Sequence, residues 1–258
     1  MQNHTETLWH QRFVIQARWS AQVRQHLLNE LAPLPIRRIL EVGCGTGAIL
    51  SEPIWSRYTR IGLDIHWAYL KYAQATIPAA SLCQGDAHVL PFARASFDLC
   101  YTHYLLLWVN AGRVLRECVR VTRPGGFVAA LAEPDYGGRI DYPPEFCPLG
   151  DYQIRAIQKA GGNPFIGRKL AELFTQAGLI HLRVGILGAY WQYPPNPQEI
   201  TSGWSLLKMD LQEEIPLESL ERWERRDRIA WEQGKRILFV PTFFAWGQVP
   251  QNSRENYP

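Results

Sequence analysis

The sequence has little that would commit it to a disulfide scaffold, a metal site or a membrane. Its 258 residues include five cysteines, Cys44, Cys83, Cys100, Cys118 and Cys147. An odd set with no C-x-x-C pair argues against a disulfide framework and against a zinc site. No apolar run approaches the ~20 residues that cross a bilayer; "ILFVPTFFAW" is short and contains Pro241. The start, "MQNHTETLWHQRFVIQARWS", lacks a basic segment followed by an apolar one, so no secretory signal is expected. Charge of one sign is scarce as well: 27 Lys and Arg against 24 Asp and Glu leave +3. In "ERWERRDRIAWEQGKR", Glu221 to Arg236, bases and acids interleave as on a solvated helical face, not a nucleic-acid stripe. These absences predict a soluble cytoplasmic protein with no metal and no nucleic-acid partner.

What is present is a repeating alternation of short apolar runs and helical periods, the mark of βα units on a mostly parallel sheet. Strands are predicted at 36–42, 60–65, 80–84, 97–103, 126–133, 180–188 and 237–246, with helices near 47–57, 66–76, 110–122 and 151–177, the last broken at "GGNP". Before them, Leu8, Val14, Ile15, Trp19, Val23, Leu27, Leu28 and Leu31 repeat at helical spacing until Pro33 and Pro35, which predicts an N-terminal helical cap. Between the last two strands, 190–235 opens with "YWQYPPNP" and carries Trp204, Trp223 and Trp231 over two helical patterns. So long a connection reads as a lid, a homodimer surface or a packing element. The expected organisation is one domain over 1–258: cap 1–35, core 36–189, helical insertion 190–235, last strand and tail 236–258.

Inside the core, "EVGCGTG" places Gly43, Gly45 and Gly47 between an apolar strand and a helical pattern, where the chain turns sharply and a ligand can touch backbone. A nicotinamide-binding turn reads G-x-G-x-x-G. Here the spacing is G-x-G-x-G, and the preceding Glu41 would repel phosphates but suit an amino group. The next strand ends in Asp64, where a carboxylate can accept from both ribose hydroxyls. The third is followed by Asp86, which could accept from the adenine amine while the N–H of Ala87 meets a ring nitrogen. Each acid alone could be a helix N-cap; three in succession point to a nucleoside ligand.

The segments "ILEVGCGTG", "GLDI", "GDAHVLPF", "FDLCYTHYLLLWV" and "RVLRECVRVTRPGGFVAALAEPD", in that order over about residues 36–135, closely resemble the class I S-adenosylmethionine-dependent methyltransferases, in the branch that includes the ubiquinone and menaquinone C-methyltransferases. The resemblance implies a Rossmann-like α/β fold: a seven-stranded, mostly parallel sheet with its last strand antiparallel and helices on both faces. It also implies S-adenosyl-L-methionine as cofactor. Gly43, Cys44, Gly45 and Gly47 would then approach its methionine part, Glu41 its amino group, Asp64 the ribose, Ile65 the adenine face, Asp86 and Ala87 the adenine edge, and His103 the methionine end. Arg18 on the cap helix could meet the cofactor carboxylate.

Methyl transfer from a sulfonium needs alignment, dehydration and sometimes removal of a proton. Candidate bases are His103, whose ordinary pKa suits proton uptake near neutrality, and Asp135 and Tyr136 after the fifth strand. "YTHYLLLW" replaces the Asn/Asp-Pro-Pro-aromatic stretch of exocyclic-amine DNA methyltransferases, and Cys100 lies within a strand, so nucleic-acid bases are not the expected acceptors. The Trp and Tyr content after residue 135 favours a small apolar or aromatic acceptor. A cofactor-binding module without transferase activity and an NAD-dependent oxidoreductase are the alternative readings.

Overall fold

The computed structural model describes residues 2–186, 188, 193 and 195–251, with side chains from Glu6 onward. In chain order its elements are α1 (Gln2–Trp19), α2 (Ala21–Leu31), β1 (Arg38–Val42), β2 (Thr59–Asp64), α3 (Trp67–Thr76), β3 (Ser81–Gln84), β4 (Phe97–Thr102), α4 (Ala111–Val121), β5 (Thr122–Pro134), β6 (Ile140–Tyr142), α5 (Cys147–Lys159), α6 (Leu170–Gln176), β7 (Ile180–Ile186), α7 (Pro197–Leu211), α8 (Leu217–Glu232), β8 (Ile237–Phe239) and β9 (Thr242–Gln248).

Seven strands form one sheet in the order β3-β2-β1-β4-β5-β9-β7. The first five are parallel, and β9 runs antiparallel to both β5 and β7. Alternation along the strands feeds two cores. Leu40, Val42, Cys100, Val128 and Ala130 face α4 and α6, where Val114, Leu115, Leu170 and Phe174 are buried. Ile39, Leu99, Tyr101, Ala129 and Leu131 face α2, with Leu27, Trp55 and Trp246. Strand order reverses between β1 and β4, which opens a crevice at their carboxyl ends.

Four expected elements differ. The strand over 237–246 is two: Pro241 has no N–H for a ladder, so β8 leaves to pair with β6 in a separate two-stranded sheet while β9 joins the main one. The helix over 47–57 is absent; a single turn (Ser51 N–H to Gly47 O, 2.9 Å) ends at Pro53, which opens a 3₁₀ turn, Pro53–Trp55. The cap is two helices, broken at Ser20. The strand expected through 188 ends at Ile186, and residue 187 and most of "YWQYPP" lie outside the described residues.

The insertion is a docked element. Trp204, Leu211, Ile215, Leu220 and Ala230 pack with Phe146 and Leu149 at α5. Beneath them runs a buried ionic chain: Arg236 pairs with Asp227 of α8 and with Asp141 of β6 (2.7 Å), Asp141 also pairs with Arg139, and Asp227 accepts from the Trp204 indole (2.7 Å). Among the described residues, no helix is long and apolar enough to cross a membrane.

Candidate active site

The glycine turn leaves β1 with Gly43, Gly45 and Gly47 all at positive φ (76°, 52° and 78°). A left-handed backbone favours glycine, and space does too: a Cβ on Gly43 would meet Leu105 at 2.8 Å, and one on Gly45 would meet the Phe13 ring at 3.0 Å. The turn is tied to β2, since the N–H groups of Gly43 and Cys44 both donate to Leu63 O (2.7 and 2.9 Å). Asp64 completes the tie, accepting from Gly45 N–H (2.7 Å) and His66 N–H (2.8 Å). Its carboxylate thus braces the loop on one side while retaining lone pairs toward the crevice.

One strand over, Asp86 Oδ1 accepts from the backbone N–H of His88 (2.8 Å) and lies 2.7 Å from its Nδ1. The other ring nitrogen, Nε2, accepts from Asn110 N–H (3.1 Å). A backbone N–H can only donate, so the neutral imidazole carries its proton on Nδ1 and gives it to Asp86. These bonds hold the Asp86 carboxyl below the usual carboxylate range. His88 was not among the expected site residues; the Asp-x-His spacing was its only signal. The Asp86 side chain is 55% exposed and Ile65 is 58% exposed, whereas Ala87 is buried. Carboxylate and apolar face are therefore both open to a ligand.

Glu41 lies buried under the turn, accepting from Tyr101 OH at 3.3 Å. Burial pushes its carboxyl well up, against the pull of Tyr101 and of nearby Arg24. The cap's buried cation is Arg24, not Arg18, which is exposed at the end of α1. Arg24 forks onto Glu52 and also donates to Ser20 Oγ (2.6 Å) and Ala17 O (2.7 Å). Ser20 Oγ in turn lies 2.7 Å from His103 Nε2.

His103 is not poised to take a proton near neutrality. Burial, then the positive charge of Arg24, lowers His103 to about 3, which corrects the expectation drawn from its ordinary value. Asp135 is ion-paired with Arg168 and accepts from Gly137 N–H (3.1 Å). Burial pushes the Tyr136 phenol up. Glu133, which sequence reasoning passed over, gathers the N–H groups of Leu105, Leu106 and Leu107 at 3.1, 2.9 and 3.3 Å. Burial raises it to about 8 against those three donors. It fixes the loop after β4, where Tyr104 holds a positive φ of 52°. No cluster of three or more His, Cys, Asp or Glu suited to a metal occurs among the described residues.

Sheet order, glycine turn and acidic strand ends together define the fold of the class I S-adenosylmethionine-dependent methyltransferases. Residues 40–130 match the methyltransferase domain family. The chain is 35% identical over 161 residues to the demethylmenaquinone methyltransferase of Renibacterium salmoninarum, covering 58% of this chain and 63% of that protein. It is 35% identical over 108 residues to the malonyl-[acyl-carrier protein] O-methyltransferase of Erwinia pyrifoliae, covering 42% and 41%. The chain thus spans less than two thirds of the length of either relative. Among solved structures it is similar to the geranyl diphosphate C-methyltransferase of Streptomyces coelicolor (TM-score 0.56, 15% identity, 89% of this chain and 78% of that one). It is also similar to phosphoethanolamine N-methyltransferase 2 of Haemonchus contortus (TM-score 0.57, 14% identity, 88% and 53%).

Proposed function

We propose that this protein is an active methyltransferase, working as a single domain, that moves a methyl group from S-adenosyl-L-methionine to a small molecule by in-line displacement. The observation that carries the reading is the convergence of the left-handed glycine turn, braced by Asp64, with the exposed Asp86 and Ile65 on the neighbouring strand ends. These residues fit that cofactor. Gly43 and Gly45 allow close backbone approach, the remaining lone pairs of Asp64 suit a ribose diol, Ile65 offers an adenine face, and Asp86 can accept from the adenine amine. The five cysteines are unpaired, which fits a reducing cytoplasm.

When bound, S-adenosylmethionine supplies a methyl already activated on a sulfonium. What the chain supplies is placement and dryness. Glu133 fixes the loop that sets Leu105 beside Gly43. His103, bonded to Ser20 and lowered to about 3, adds no second positive charge near a cationic donor. α1 covers the turn through Phe13 on Gly45 and through His10, whose Nδ1 is 2.8 Å from Thr46 Oγ1.

The test is ligand-linked stability followed by turnover. S-adenosylhomocysteine at about 100 times its dissociation constant should stabilise the folded chain by roughly 2.7 kcal/mol, and incubation with S-adenosylmethionine and a metabolite extract should release S-adenosylhomocysteine. Stabilisation by NAD but not by S-adenosylhomocysteine would overturn the cofactor. Stabilisation without turnover in any extract would leave a binding module.

A further inference from the structure

We infer that the acceptor is an amphiphilic anion, its acidic head held by Arg12 and its apolar chain lodged between α1 and α7. The inference rests on the methyl-transfer reading and specifies its substrate. α1 and α7 bound a cavity of about 240 Å³ whose apolar lining comes from Leu8, Trp9 and Ile15 on one helix and Leu206 and Met209 on the other. Leu8 and Met209 remain 44% and 42% exposed there. Such a slot is smaller than the ~300–1,000 Å³ of typical small-molecule pockets, and it suits a flexible chain better than a fused ring system.

At one side of that slot stands Arg12. Its side chain is only 13% exposed, and the guanidinium lies over the Trp9 ring, 5.1 Å from the centroid. Among the described residues its one hydrogen bond is to Asp210 Oδ1, at 3.4 Å. That is well beyond the ~2.7–2.9 Å of a strong charge-assisted bond. A guanidinium has five donors, and one so nearly buried is ordinarily well paired. Arg139, Arg236 and Arg24, the other buried arginines, are all forked onto carboxylates. Arg12 alone of these four makes no forked pair with a carboxylate, only the single long contact with Asp210.

Arg12 itself lines the slot, its guanidinium reaching from α1 toward Asp210 of α7. The next residue on the helix, Phe13, lies over Gly45, so the slot flanks the helix that covers the glycine turn. A carboxylate or phosphate in the slot could take two N–H groups of Arg12 side by side. Asp210, weakly engaged and on the insertion, would be displaced. Arg12 and the cavity then divide one ligand between them: head on the guanidinium, chain between the helices.

The test is calorimetric titration of the protein saturated with S-adenosylhomocysteine, using decanoate, decyl phosphate and decanol as probes. At least one anion should bind saturably and about tenfold or more tighter than decanol, the scale of a charged hydrogen bond; comparing the two anions tells a carboxylate head from a phosphate. Arg12→Gln should bring the anion down to the affinity of decanol, Arg12→Lys should recover part of the loss, and Asp210→Asn should tighten the anion. Decanol binding as tightly as both anions would overturn the inference, and so would an anion affinity unchanged in Arg12→Gln. Failure of S-adenosylhomocysteine to saturate the protein would instead sink the methyl-transfer reading.

Discussion

His103 makes the folded state sensitive to acid. Its folded value of about 3 lies below the ordinary 6.5, so between those limits the unfolded chain binds the extra proton. The stability that depends on a neutral His103 is therefore fully present above pH 6.5 and declines as pH falls toward 3, by at most about 1.4 kcal/mol per pH unit. Urea unfolding at pH 7.5, 6 and 5 should show a shallower decline in His103→Asn than in the parent; parallel declines would mean that the imidazole is not held neutral. Asp64 makes a second case at this scale. Asp64→Ala should raise the dissociation constant for S-adenosylhomocysteine by an amount worth about 1–3 kcal/mol, since both the ribose acceptor and the brace on Gly45 N–H are lost. An unchanged constant would show that the ribose sits elsewhere. Glu133 and His88 explain why single residues were the hardest part to read. Nothing local distinguishes Glu133, which binds three amides 26–28 positions away in sequence, from Asp135 two residues on, which pairs with Arg168.

Among the elements, the insertion is held by charge as much as by packing. Replacing Arg236 by Met would leave Asp227 buried with only the Trp204 indole and Asp141 with only Arg139. Removing one partner of a buried pair costs about 3–5 kcal/mol, and at ~2–4 °C per kcal/mol the melting temperature should fall by roughly 10 °C. A loss under about 1 kcal/mol would mean that the helices dock without the ionic chain. The parallel core was legible because a strand buried on both faces leaves a continuous apolar run, as in Val128 to Ala132, and because its turn needs glycine. Two of the elements that misread share one cause: proline acts through the backbone. Pro53 stops a helix that the side chains would otherwise favour, and Pro241 splits an unbroken apolar run between two sheets. Which strand of that run joined which sheet depended on β5 and β6, far away in sequence.

Over the whole molecule, the carboxyl ends of β1 through β5 gather the glycine turn, Asp64, Tyr104 and Glu133 on one edge of the sheet, and α1 lies across that edge. One helix therefore serves two boundaries, covering Gly45 with Phe13 and walling the α1–α7 cavity with Leu8, Trp9 and Ile15. A donor passing beneath α1 must disturb the helix, while an acceptor beside it needs the helix seated. Their arrivals cannot be independent, and the kinetic consequence is a compulsory order, donor first and acceptor second. S-adenosylhomocysteine should inhibit competitively against S-adenosylmethionine and non-competitively against the acceptor, and isotope trapping should capture the bound donor in product. An acceptor that binds the donor-free protein and commits it to turnover would show instead that α1 seats without help, and that the two entrances open separately.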